Sequence, residues 1–306
     1  MAALDVLDLD GMSGRAQLRT LLQAARNHRV LVLNGSLDGR IQPLAAVAIG
    51  RLAHPPRIIL TDCTWKAGEP PFGRAVRRAA LKALDGPHVT YCVLSTFERE
   101  RFGRTWGVDP ARVRFTPWYV GLPDEQLAAE PPSEDDGHVF AGGDSLRDYG
   151  PLLSIADRLQ APLVVASRTL GEVAVPAGVQ AGPVSPERYA ELTARAATVV
   201  VPLELREDRS AGQFTYLNAM ALGKSVVVTD GPGVRDYVEH ERTGLVVAPG
   251  DADALASAIN WTVAPATRAA ARAMGVRARE EVLARFSADR YVSCLLDLVD
   301  EACAIT

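Results

Sequence analysis

The chain is poor in cysteine, in excess charge of one sign and in long apolar runs, and each shortage excludes a class of protein. Its 306 residues hold four cysteines, Cys63, Cys92, Cys294 and Cys303. They stand singly, with no C-x-x-C pair, so neither a disulfide framework nor a zinc spacing is present and they read as buried thiols of a reducing compartment. With 33 Lys+Arg against 37 Asp+Glu the formal charge is -4, which gives no general attraction to nucleic acid or anionic lipid. No apolar run approaches the roughly 20 residues of a membrane span. Residues 1–15 carry Asp5, Asp8 and Asp10 where a secretory leader carries bases. These features predict a cytoplasmic chain with no integral membrane segment and no nucleic-acid partner. None of His28, His54, His88, His138 and His240 pairs at a metal-ligand spacing, so no metal site is expected. A Walker A loop, a G-x-S-x-G elbow and a G-x-G-x-x-G turn after a strand are also missing, which counts against P-loop NTPases, α/β-hydrolases and dinucleotide oxidoreductases.

What the chain has is a repeated alternation. Short runs of Val, Ile and Leu are separated by longer amphipathic stretches rich in Ala and Arg, the pattern of parallel strands covered on both faces by helices. In the first half the pattern predicts strands at Asp5–Leu9, Val30–Asn34, Ile58–Thr61, Thr90–Leu94 and Val113–Pro117. Helices are expected at Arg15–Asn27, Ile41–Leu52, Arg74–Leu84 and Glu98–Trp106. Arg74, Arg77, Arg78 and Lys82 give one of these helices a basic face, read as solvated. From Val120 to Gly137 the chain turns acidic and proline-rich, with no periodic apolar face, as linkers are.

After this break the alternation restarts. Strands are expected at His138–Ala141, Leu163–Ser167, Thr198–Val201 and Ser225–Thr229. The helices between and after them are Leu152–Leu159, Ser185–Arg195, Thr215–Leu222, Val234–Glu239, Ala252–Thr262, Thr267–Ala284 and Ala288–Ala302. Each series is expected to form a doubly wound sheet. Two such halves are compatible with many functions.

The second half carries more specific signals. The run Ala211-Gly-Gln-Phe-Thr-Tyr-Leu-Asn-Ala-Met-Ala-Leu-Gly-Lys-Ser-Val-Val-Val-Thr-Asp230 is followed by Gly231-Pro-Gly, Asp236-Tyr-Val, Thr243-Gly-Leu-Val-Val, Pro249-Gly-Asp and Phe286-Ser. In this order the elements closely resemble the donor-nucleotide half of retaining glycosyltransferases of family 4. Val93-Leu-Ser, Glu98-Arg-Glu, Trp106-Gly-Val-Asp-Pro and Phe115-Thr-Pro are similar to the last strand, helix and strand of that family's acceptor domain.

The resemblance implies an α/β chain of the GT-B fold, two Rossmann-like βαβ domains facing across a cleft. Residues 1–120 would be an abbreviated acceptor domain, 121–137 a linker and 138–285 the nucleotide-sugar domain. Residues 286–306 would be a terminal helix crossing back to the N-terminal domain. The implied activity is metal-independent transfer, with retention, from a nucleoside diphosphate sugar to a small-molecule or glycan acceptor, with no further cofactor.

Transfer from such a donor requires fixed groups that hold a diphosphate and stabilise the charge growing on it. Ser210-Ala-Gly-Gln-Phe-Thr215 is a small-residue turn placed before a helix, whose N-terminus presents free N–H groups and the positive end of the macrodipole. Ala211, Gly212, Gln213, Phe214 and Thr215 are therefore donor-binding candidates, beside an ordinary capped helix with Phe214 in the core. The turn Ala141-Gly-Gly-Asp-Ser-Leu-Arg147 adds Gly142, Gly143 and a phosphate-gripping Arg147, beside a surface Arg147–Asp148 pair. Arg168 and Arg209 are substitutes for a second cation that the family places where Gly143 stands. Ser210 replaces the first of the family's two motif glutamates and Asn218 the second. Ser210 is thus assigned to the catalytic end and Asn218 to ribose binding without a carboxylate's strength.

On the acceptor side Asn34, Gly35 and Ser36 follow one strand, and Asp62 and Trp65 follow another, where ligands gather in open α/β sheets. Asp62 is the candidate for orienting an acceptor hydroxyl and Trp65 for stacking, beside a capping Asp and a core Trp. The loss of both glutamates leaves a second function open, that of a catalytically silent homologue binding a sugar nucleotide or a partner.

Overall fold

The computed structural model of the chain describes residues 5–36, 41–65, 78–79, 81–130, 135–170, 173–204 and 209–304. It divides into two compact units, Met1–Pro117 with Tyr291–Thr306, and Trp118–Arg290.

In the first unit β1 (Val30–Asn34), β2 (Arg57–Thr61), β3 (Val89–Val93) and β4 (Val113–Phe115) form one parallel sheet in chain order. Each crossover steps the same way, and right-handed connections then place the intervening helices on one face. On α1 (Gly14–Asn27), Leu18, Leu21, Leu22 and Ala25 recur at helical spacing and face the core, while Arg15, Arg19 and Arg26 stay exposed. Along with α2 (Ile41–Ile49), they cover Leu31, Leu33, Ile58, Leu60, Tyr91 and Val93. The alternate residues Ile59 and Cys92 meet Leu298 and Val299 of the last helix, Ala288–Ala304.

The sequence also sets where α3 (Thr96–Trp106) begins and ends. Ser95 accepts from the Glu98 amide at 3.1 Å while the Glu98 carboxylate accepts from Leu94 N–H at 3.2 Å, a reciprocal capping box that explains a buried glutamate. Gly107, at φ 77°, stops the helix.

In the second unit β5 (Val139–Gly142), β6 (Leu163–Ala166), β7 (Gln180–Gly182), β8 (Thr198–Val201), β9 (Ser225–Thr229) and β10 (Leu245–Val247) are all parallel, in the order β10-β9-β8-β5-β6-β7. The winding runs outward through β6 and β7, then reverses to the far side of β5. Helices α4 (Asp124–Ala128), α5 (Gly150–Ser154), α6 (Pro186–Arg195), α7 (Gln213–Ala221), α8 (Ala252–Val263) and α9 (Arg268–Arg285) complete it, and Ala288–Ala304 is α10. A Cβ at Gly275 would stand 2.1 Å from the Gly223 carbonyl, so only glycine lets α9 approach the turn between α7 and β9 this closely.

The structure corrects several expectations. Among the described residues the first sheet winds one way and is not doubly wound. Asp5–Leu9 forms no strand; the Gln17 side chain of α1 draws the segment in through the Leu9 and Met12 carbonyls, both at 3.2 Å. Leu152–Leu159 is split into α5 and a 3-10 turn, Ala156–Arg158. Val234–Glu239 is a single 3-10 turn, Val234–Asp236, because the Glu239 amide is taken by the Thr243 hydroxyl at 2.9 Å and the chain turns away. Strands β7 and β10, of three residues each, are too short to carry a periodic signal. The described part of 121–137 packs inside the second unit: Arg279 donates to the Leu127 and Ala129 carbonyls, and Arg268 and Arg272 grip Asp135. Of the expected helix Arg74–Leu84, Arg74 and Arg77 lie outside the described residues. Among the described residues no helix is long and apolar enough to cross a membrane.

Candidate functional site

In an open α/β sheet the loops on either side of a winding reversal part to opposite faces and leave a ligand site at the carboxyl ends of the strands. Here the reversal lies between β5 and β8, and the expected donor residues gather there. After β5 the chain turns through Gly142 and Gly143, the latter at φ 111°. Arg147 folds back over the turn. Its Nε donates to the Gly142 carbonyl at 3.3 Å, its Nη1 to the Ser145 carbonyl at 2.7 Å and its Nη2 to the Thr215 hydroxyl at 3.0 Å. A bridge between Arg147 and Leu203 ties this loop to the one after β8. Among the described residues no carboxylate comes within ion-pair distance of Arg147, and Asp148 instead accepts from the Gly150 amide at 3.1 Å. The surface Arg147–Asp148 pair is thus absent. Burial lowers the Arg147 pKa from its usual value, yet an arginine stays cationic.

Facing it is the N-terminus of α7. Gly212, at φ 91°, opens the helix, and its carbonyl accepts from the Thr215 and Tyr216 amides at 2.9 and 3.0 Å. The first turn has neither a side-chain cap nor an acidic residue, so the leading N–H groups at Gln213 and Phe214 keep the positive end of the helix unneutralised. Ala211 continues this turn toward Ser210. Ser210 is buried and accepts from Gln213 Nε2 at 2.6 Å, so these two side chains bind each other within the turn. Phe214 is 55% exposed, which overturns its reading as a core residue. Asn218, the ribose candidate, is buried and its Oδ1 accepts from the Gly121 amide at 2.9 Å, which ties this chain segment to α7.

The substitute cations behave differently. The Asp144 carboxyl is held below its usual range by the Arg168 backbone amide and side chain, and Arg168 is committed to that pair. Arg209 donates to the Ser145 hydroxyl at 2.8 Å, beside Arg147.

In the first unit the acceptor-side candidates come together after β1 and β2. Gly35 N–H donates to the Thr61 carbonyl at 2.6 Å, and the Asn34 side chain accepts from the Ser36 amide at 2.8 Å. Asp62 is held at φ 54°, a left-handed conformation that few non-glycine residues adopt and that concentrates at functional sites. Trp65 is a correction. It is 3% exposed, its ring packs against Tyr91, Phe102 and Trp106, and its indole N–H is spent on the Gly35 carbonyl at 2.6 Å, so it cannot stack on a ligand.

Sequence reasoning missed Tyr149, Tyr189 and Gly121. Tyr149 donates to the Gly143 carbonyl at 2.6 Å, and the Tyr189 ring fills the space where a Cβ at Gly142 would be, 2.5 Å away. The one available signal was the Gly142-Gly143 pair, whose missing side chains leave room for bulky neighbours. Among the described residues no group of three His, Cys, Asp or Glu is placed to hold a metal ion.

The chain therefore has the GT-B type of α/β fold, and comparison with known proteins agrees with the geometry. Residues 146–264 match the model of glycosyl transferases group 1, a stretch that holds Arg147, Ser210 and all of α7. Solved structures match almost the whole chain at low identity. Anabaena HepE in complex with UDP superposes with a TM-score of 0.70 at 14% identity, over 94% of this chain and 82% of its own. The sucrose-phosphate synthase of Thermosynechococcus elongatus gives 0.67 at 20%, over 95% and 79%. A glycosyltransferase of Rickettsia africae gives 0.66 at 13%, over 99% and 84%. No curated protein sequence matches significantly.

Proposed function

We propose that this protein is a cytoplasmic glycosyltransferase of family 4 type that binds a nucleoside diphosphate sugar in the second unit and transfers the sugar with retention to a small-molecule or glycan acceptor. The observation that carries it is Arg147, pinned by three hydrogen bonds and with no carboxylate partner among the described residues, opposite the uncapped N-terminus of α7. A fixed cation and a row of backbone N–H groups suit a diphosphate and stabilise the charge that grows on it as the glycosidic bond breaks. They supply that charge without a metal. The likeness to HepE, whose structure holds UDP, supports the same assignment.

In the proposed reaction the bond from the sugar C1 to the phosphate oxygen breaks, and the acceptor oxygen bonds to C1 on the same face. The acceptor proton passes to the leaving phosphate, so no strong enzymic base is required. Asp62, beside Asn34–Ser36, orients the acceptor hydroxyl, and the Ser210 turn lies at the sugar end of the site. None of the four cysteines is paired in a disulfide, which suits a reducing compartment.

The test is turnover. Purified protein is incubated with UDP-, GDP-, ADP- and dTDP-sugars in the presence of a chelator, and the anomeric signal of the released or transferred sugar is followed by NMR. Product with the donor's configuration, abolished in Arg147→Ala, is expected. Product of inverted configuration contradicts retention, and nucleotide binding without any turnover points to the silent homologue.

A further inference from the structure

Gly143 has no N–H left for an anion. Its amide donates to the Ala166 carbonyl at the end of β6 at 3.1 Å, and its carbonyl accepts from the Tyr149 hydroxyl at 2.6 Å. What the glycine provides is room. A Cβ at 143 would stand 2.9 Å from Arg147 Nη2 and 3.3 Å from its Nε and Cζ, so the guanidinium lies in the space that a side chain would take. The neighbouring carbonyls complete the cradle, with Gly142 accepting from Nε at 3.3 Å and Ser145 from Nη1 at 2.7 Å. Two successive glycines, the second at φ 111°, have wide backbone freedom, so this cradle keeps its shape only if groups outside the turn fix it. Ala166 fixes Gly143 on one side and Tyr149 on the other. Tyr149 stands at the start of α5, 4% exposed, in the core cluster that holds Leu152, Leu153 and Val165, and its hydroxyl ties that core to the turn.

We propose that Tyr149 is a positioning residue of the donor site: by fixing the Gly143 peptide it holds the surface that orients the Arg147 guanidinium toward the diphosphate. This rests on the donor-site assignment above. Tyr149 needs no contact with the ligand, and Gly143 serves the arginine instead of the phosphate. The role belongs to the phosphate end, because the contacts that begin at Tyr149 lead through Gly143 to Arg147.

The test is a double-mutant cycle read by calorimetric titration. The ligand is whichever of UDP, GDP, ADP and dTDP binds the wild type most tightly, with its phosphate-free nucleoside as control. Tyr149→Phe keeps the ring in the core and removes only the hydroxyl. Losing one hydrogen bond of ordinary net strength from the support of the arginine is expected to weaken the diphosphate about three- to tenfold. Nucleoside affinity stays at the wild-type value. In the Arg147→Ala background Tyr149→Phe is expected to add less than about a twofold further loss, since the group it positions is gone.

Equal diphosphate affinity in Tyr149→Phe and wild type overturns the role. So do fold-losses that multiply in the double variant, or a parallel loss of nucleoside affinity, which mark a general structural effect. Unchanged diphosphate affinity in Arg147→Ala, or no binding of any of the four diphosphates to the wild type, overturns the donor-site assignment itself, and the role of Tyr149 falls with it.

Discussion

The two sheets are built from the same strand-and-helix alternation and differ in how they are wound. In the first unit four strands follow chain order, so every crossover lies on one face and the loops after β1 and β2 lean on each other. Gly35 bonds the Thr61 carbonyl, Trp65 bonds Gly35, and the loop tips are tied into the core. In the second unit the order reverses at β5, the flanking loops part, and a helix N-terminus and an arginine without a carboxylate partner among the described residues meet where they separate. The comparison shows why similar apolar patterns leave a guanidinium and a helix N-terminus together in one unit and a self-satisfied pair of loops in the other: winding, more than composition, decides which backbone groups stay available.

The most damaging way to disturb the second unit alone is Gly275→Ala. Its Cβ would press on backbone 2.1 Å away, and a loss of about 3 kcal/mol or more is expected in denaturant unfolding. A wild-type midpoint would show that α9 slides freely. Next in size, Arg147→Ala removes the cation, and nucleoside diphosphate affinity should fall about 10- to 100-fold, as for loss of a charge-assisted contact. Asp62→Ala in the first unit should impair transfer while changing that affinity less than about twofold. Asn218→Ala is expected to cost about 1 kcal/mol by orphaning the Gly121 amide, a loss that thermal melting would reveal and that Asn218→Asp should largely avoid.

The smallest effect is shared by both units. Burial lowers the pKa of His88 in the first unit and His138 in the second below the ordinary 6.5. Both are therefore favoured neutral in the fold. As pH falls below about 6.5 the unfolded chain takes up protons first, so stability declines until the folded values are reached. For His88, Arg57 and Arg112 push the same way as burial. Stability measured from pH 8 to 5 should decline less steeply in His88→Gln, and an identical slope would remove His88 from this account.

Much of this was legible in the residues. Buried strands such as Ser225–Thr229 announce themselves as continuous apolar runs. That the Arg147 turn and the Ser210–Thr215 turn lie close together was also readable, because each follows a strand and the carboxyl ends of parallel strands share one edge of the sheet. Side-chain direction was not. Trp65 is core because Phe102 and Trp106, some forty residues on, close around it, and Asn218 is taken by an amide 97 residues away. Such partners are fixed by the tertiary fold, and no local spacing records them. The direction of winding in the first unit is likewise a property of strand order.

The central claim is that the proposed diphosphate site belongs to the second unit. Backbone hydrogen exchange with and without a saturating nucleoside diphosphate tests it directly, since a bound ligand slows exchange at the amides it contacts. The account predicts slowed exchange at residues 142–150 and 211–218, with 31–36 and 58–65 unchanged. Protection confined to the loops after β1 and β2, or none in either unit, would contradict it.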